Sequence, residues 1–185
     1  MAVLRMKKNM LLTGRPGIGK TTVIRRVVEQ LEGWRACGFY TQELRQGTRR
    51  IGFRVVTLDG LRGRLAEVGL DSPYRVGRYG VDLENFDRLA LPTLTIPGAD
   101  LLVIDEIGKM ECFSRAFEQA VRCALDGRVA VLGTIGRGGG PFMRSVRGRE
   151  DVQLMEVTLA NRAELPGRLA QMLRALRGEQ KGQGR

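Results

Sequence analysis

Two rhythms of apolar spacing run along the chain. Met10-Leu11-Leu12 is a continuous apolar run, and residues 9–13 read as a short buried strand. After a glycine-rich loop, Val23, Ile24, Val27, Val28 and Leu31 return at intervals of one, three and four. That spacing puts them on one face of a helix over 20–32, which Gly33 stops. Residues 37–41 and 51–58 read as strands, and the turn Arg45-Gln46-Gly47-Thr48 between them predicts an antiparallel hairpin inserted in the sheet. Residues 75–82 are punctuated by glycine and read as irregular chain or a short strand, and 83–94 as a helix with Pro92 near its end. Residues 99–104 are almost wholly apolar, as a parallel strand covered on both faces must be, and they end in Asp105-Glu106.

A helix over 114–126, with Phe117, Ala120, Val121 and Leu125 on its buried side, precedes a second buried strand at 129–132. Residues 136–149 hold glycine at 136, 138, 139, 140 and 148 and arginine at 137, 144, 147 and 149; they predict a mobile basic loop. A strand over 152–157 and a helix over 165–176 follow, and 178–185 read as a frayed, disordered tail. Strands alternating with helices predict an α/β fold of three layers around a mainly parallel sheet.

The chain has 185 residues, 43% of them apolar. That is enough for one core and too few to expect two, so 1–177 are read as a single domain. No run approaches the roughly 18 apolar residues that cross a bilayer, and the first residues lack a secretory pattern; a cytoplasmic location without membrane contact is expected. Cys37, Cys112 and Cys123 are odd in number and lie at no metal-ligand spacing, so they read as free thiols. The absence of histidine excludes an imidazole base or zinc ligand, leaving acid–base work to carboxylates, lysine, tyrosine or cysteine. A net charge of +11, from 31 Lys and Arg against 20 Asp and Glu, favours polyanions such as nucleotides or nucleic acid.

The stretch GRPGIGKTT turns these generalities into chemistry. Gly14-x-x-x-x-Gly19-Lys20-Thr21 between a strand and a helix matches the P-loop, whose backbone N–H groups wrap phosphate oxygens. Its cradle would be Gly14, Arg15, Pro16, Gly17, Ile18, Gly19, Lys20, Thr21 and Thr22. Lys20 would reach the β- and γ-phosphates and the Thr21 hydroxyl would ligate Mg²⁺. Such a loop requires an acid at the end of another buried strand to hold the ion, and Asp105 in LLVIDE supplies it. Glu106 beside it suits orientation of an attacking water.

DEIGKME at 105–111, with GRPGIGKTT and VGRYGV at 76–81, resembles the small P-loop nucleoside-triphosphatase family that has a human cancer-related member and thermophilic bacterial and archaeal ones. Gly38-Phe39-Tyr40-Thr41, Gly52-Phe53, Pro141-Phe142 and Asn161-Arg162 extend the likeness nearly end to end. The resemblance implies a RecA-like domain that hydrolyses ATP, GTP and other nucleoside triphosphates to diphosphate and phosphate with little base selectivity. Where the family often carries histidine after its Thr-Ile or Thr-Val, this chain has Gly136. In RecA-like sheets the strand ending in Thr134 would sit between the acidic strand and the P-loop strand, bringing that hydroxyl near the γ-phosphate as a sensor. Arginine commonly meets developing charge in phosphoryl transfer, and Arg15, Arg78, Arg137, Arg144, Arg147 and Arg149 are candidates. Lys109 suits pairing with Glu106 or Glu111, or orientation of the site. Asn161-Arg162 after the last strand suits a base pocket, or for Asn161 a helix cap. The same motifs also suit a kinase acting on a nucleoside, nucleotide or nucleic-acid end, and a nucleic-acid-dependent ATPase.

Overall fold

The structure is a computed structural model that describes residues 7–182, with side chains described to residue 178. Its described strands form one sheet in the order β5-β6-β4-β3-β2-β7-β8-β1-β9. The parallel core comprises β2 (Ala36–Gln46), β7 (Leu101–Ile107), β8 (Ala130–Ile135), β1 (Asn9–Thr13) and β9 (Val152–Glu156). Beyond β2 the sheet continues antiparallel through β3 (Arg49–Thr57), β4 (Arg62–Val68), β6 (Tyr79–Val81) and β5 (Arg75–Val76). The expected hairpin is therefore the start of a four-strand extension at the sheet's margin.

Alternation along the core strands divides the interior in two. Met10 and Leu12 of β1 pack with Val23, Ile24 and Val27 of α1 (Lys20–Gln30) and Leu165, Leu169 and Leu173 of α5 (Leu165–Gly182). Leu11 points to the other face. There Leu102 and Ile104 meet α2 (Leu83–Ala90), α3 (Arg115–Asp126) and α4 (Pro141–Arg147). Phe39, Phe86 and Phe117 form an edge-on triad on that face, with centroids 5.2 to 6.0 Å apart, geometry that suits the ring quadrupoles. The Asp82 side chain caps α2 and the Ser114 hydroxyl caps α3, each satisfying a free N–H of the first turn.

Several elements differ from the sequence expectation. The α2 helix gives way at Leu91 to a 3₁₀ turn over Leu91–Leu94, since Pro92 has no N–H to continue the α ladder. The predicted mobile loop over 136–149 instead contains α4. Phe142, Met143 and Val146 are buried against α3 and the sheet, and Pro141 occupies a first-turn position where its missing N–H costs nothing. Arg144 and Arg147 are spent on the preceding backbone, donating to the carbonyls of Gly139, Gly136 and Gly138. The last helix extends through Gly178 to Gly182 where a tail was expected; residues 183–185 lie outside the described chain.

Candidate active site

The loop leaves β1 and meets the N-terminus of α1. Gly17 and Gly19 hold positive φ of 75° and 107°, backbone that side chains with a Cβ disfavour and that arranges N–H groups as an anion-binding concavity. Gly19 is the N-cap and supplies no side-chain acceptor, leaving the first-turn N–H groups of α1 available to an anion. Lys20 folds back over this loop, its Nζ 3.4 Å from the Gly14 carbonyl.

Strand order brings the second motif to the first. β8 lies between β7 and β1, so the carboxyl end of β7 stands across one strand from the loop. Asp105 is 1% exposed. Its Oδ1 accepts the Thr134 hydroxyl at 2.5 Å, whereas its buried Oδ2 has no partner in the protein. Burial pushes the Asp105 carboxyl up from its ordinary pKa, opposed by the Thr134 hydrogen bond, the nearby Thr21 hydroxyl and the Lys20 charge. An orphaned carboxylate oxygen beside a threonine hydroxyl fits a hard cation that takes oxygen ligands and fills its other positions with water and phosphate. Thr134 faces Asp105 and is fully buried, so its hydroxyl orients the acid.

Glu106 follows through a cis peptide bond and turns into the cavity. Its Oε1 stands between two glycines: a Cβ on Gly108 would lie 3.3 Å away and one on Gly136 3.5 Å. Burial raises the Glu106 pKa, with Lys20 opposing and Asp105 reinforcing.

Glu111 also faces this space, and nothing in its position along the sequence announces it. A 3₁₀ turn over Glu111–Phe113 folds back, with the Cys112 N–H donating to the Gly108 carbonyl at 3.1 Å. The side chain is 5% exposed. Burial, then the neighbouring charges of Glu106 and Asp105, push its pKa up to about 8. Two carboxyls thus border one pocket, both pushed up by burial.

The cavity between these elements has a volume of about 830 Å³. Gly14, Pro16, Gly17, Gly19, Lys20, Thr21 and Thr22 form one wall and Glu106, Lys109 and Glu111 its middle. Arg137 lines it and forms an ion pair with Glu156. Neither Arg15 nor Ile18 is among the lining residues. Arg78 turns aside, donating to the Arg50 carbonyl at 2.7 Å and to the Tyr79 hydroxyl at 3.2 Å. Asn161 is consumed by its own loop: Oδ1 accepts the Thr158 N–H and Nδ2 donates to the Glu156 carbonyl, both at 2.9 Å. Arg162 reaches the Ile18 carbonyl at 3.5 Å, beside the loop and outside the cavity. Arg149 binds Asp126 and Asp151. At Gly136 the space a side chain would take is held by Met143, whose Cε lies 2.9 Å from an ideal Cβ.

The chain has known relatives. The family model described as NTPase matches residues 9–170. The nucleoside-triphosphatase THEP1 of Thermotoga maritima is 42% identical over 172 residues, covering 92% of this chain and 98% of that one. The human cancer-related nucleoside-triphosphatase is 48% identical over 178 residues, covering 86% and 93%. The crystal structure of THEP1 from Aquifex aeolicus superposes with a TM-score of 0.82 at 35% identity, over 89% of this chain and 98% of the other. With a phosphate loop, a buried acid and these relatives along nearly its whole length, the chain belongs to the NTPase family.

Proposed function

We propose that the protein hydrolyses nucleoside 5′-triphosphates, ATP and GTP among them, to diphosphate and phosphate, with Mg²⁺ as cofactor and little selection among bases. One observation carries this reading: Lys20, Thr21 and Glu106 border a single cavity, and the buried Asp105 carboxyl lies close enough to Thr21 and Lys20 to feel both. Lys20 and the N–H groups of 14–22 neutralise the phosphate chain. The Thr21 hydroxyl and Asp105 Oδ2 would hold the ion, which when bound supplies charge neutralisation for the phosphate oxygens. Glu106 orients a water in line with the γ-phosphorus and receives its proton. Arg137, released from Glu156, is the arginine suited to meet the developing charge. Weak base selection is supported by the engagement of the Asn161 carboxamide within its own loop.

The test separates binding from chemistry. Lys20→Ala should abolish turnover with loss of triphosphate binding. Glu106→Gln should keep nucleotide affinity while kcat falls roughly 10²- to 10⁴-fold. Unchanged kcat in the second variant refutes the water-orienting role.

A further inference from the structure

The cavity has a second wall beyond the P-loop. β2 runs parallel to β7 with Tyr40 opposite Asp105, so residues 41–46 continue about 20 Å past the acid at ~3.3 Å per residue. The hairpin therefore overhangs the carboxyl edge of the sheet. Its return strand sets Phe53 opposite Glu43. Phe53 and Tyr79 meet edge to face at 5.2 Å. The Arg50 guanidinium lies over Phe53 at 5.2 Å, donates to the Tyr79 hydroxyl at 3.3 Å and pairs with Glu43. Gln42, Glu43, Arg50, Phe53 and Tyr79 all line the cavity, across Glu106 from the loop.

Polarity decides what can occupy this lobe. A triphosphate whose β- and γ-phosphates are gripped by Lys20 presents its γ end to Glu106 and extends its nucleoside in the opposite direction. The hairpin lobe then faces the group that is transferred. Its aromatic pair and its fixed carboxylate–guanidinium pair fit a planar ring with hydrogen-bonding edges, and the about 830 Å³ of the whole cavity falls in the upper part of the range that encloses small organic ligands.

We propose that this lobe binds a second small molecule of the nucleoside class, free or as its 5′-monophosphate, whose hydroxyl competes with water for the γ-phosphoryl group. The inference rests on the hydrolytic reading of the phosphate site. In the transfer, the acceptor oxygen forms a bond to the γ-phosphorus as the bond to the β,γ-bridging oxygen breaks. The nucleoside diphosphate leaves with that electron pair, and the hydroxyl proton passes through Glu106 to solvent.

The experiment incubates the protein with Mg²⁺, γ-labelled ATP and each of the common ribo- and deoxyribonucleosides and their 5′-monophosphates, then separates labelled acceptor from inorganic phosphate. Label on one of these acceptors supports the proposal. With that acceptor, Phe53→Ala should raise the acceptor KM roughly tenfold to a hundredfold, the range for loss of one base-stacking ring. Arg50→Lys, which keeps the charge and loses the planar fork, should raise it as well. Label found only as inorganic phosphate with every acceptor overturns this proposal and leaves the hydrolytic reading standing. Label in neither product overturns both. An acceptor KM unmoved by either variant also overturns the assignment of the lobe.

Discussion

Glu111→Gln should make the protein's stability less dependent on pH, and the expected size follows from its burial. A carboxyl that ionises near 4.5 in the open chain and at about 8 in the folded one keeps its proton in the native state across that interval while the unfolded chain loses it. The unfolded state then binds fewer protons, so stability declines as pH rises. The stabilising contribution is full below about 4.5 and is lost as pH climbs to about 8. The slope approaches ~1.4 kcal/mol per pH unit, and the whole interval amounts to roughly 5 kcal/mol, comparable with the total stability of a small domain. Glutamine preserves the shape and cannot ionise. Urea unfolding followed by circular dichroism at half-unit steps from pH 5 to 8 should show the variant gaining on the wild type continuously. The nearby acids Asp105 and Glu106 are present in both proteins and largely cancel in the difference. The Cys112 thiol, pushed up to about 12 chiefly by burial, stays silent over this range. A constant difference between the two curves would refute the claim that Glu111 is held protonated beside Glu106.

Other expectations concern the same pocket. Gly108→Ala would set a Cβ 2.6 Å from Glu111 Oε2 and 3.3 Å from Glu106; kcat should fall at least about tenfold with nucleotide affinity retained, measured by steady-state phosphate release beside fluorescent-nucleotide binding. Thr134→Val removes the hydroxyl that orients Asp105, so the Mg²⁺ concentration for half-maximal turnover should rise roughly 10- to 100-fold, as for other partners of metal ligands. Arg147→Ala frees the carbonyls of Gly136 and Gly138, and faster amide exchange over 136–140 with little change at β1 should follow; unchanged exchange there would show that the clamp is idle.

What was legible in the sequence and what was not divide along a physical line. The loop, β1, α1 and β7 were readable because each carries a local constraint: glycines at fixed offsets, a helical apolar face, an unbroken apolar strand ending in acids. Strand β4 was not, since its pattern RGRLAEV buries only Leu65 and Ala66 and its pairing with β3 and β6 is long-range. In α4, the apolar trio Phe142, Met143 and Val146 was visible at helical spacing, but the surrounding glycines outweighed it. Glu111 stood in plain view within DEIGKME. Its place beside Glu106 depends on a turn that folds four residues of chain back on the strand end, and no periodicity encodes that. Asp105, Lys20 and Thr21 come together in space because the two motifs are tied to strand ends and strand order does the rest.

The positive charge acquires a different meaning once its partners are known. Arg50 and Arg45 share Glu43, Arg64 bridges Asp82 and Glu67, Arg149 binds Asp126 and Asp151, and Arg177 binds Asp100. Arg35, Arg144 and Arg147 donate to backbone carbonyls. Exposed pairs of this kind add at most about 1 kcal/mol each, so their effect is chiefly geometric: a planar guanidinium fixes the directions of its donors, whereas an ammonium turns freely about its stem. In the segment before α4, Arg147 Nη1 donates to two carbonyls of the turn that carries Arg137 to the cavity. Arginine excess in this chain therefore serves in part to set irregular backbone around the phosphate site. Lys20 is of another kind, a cation that folds over the loop onto a carbonyl at 3.4 Å; under the proposed function an incoming phosphate chain would be its stronger partner.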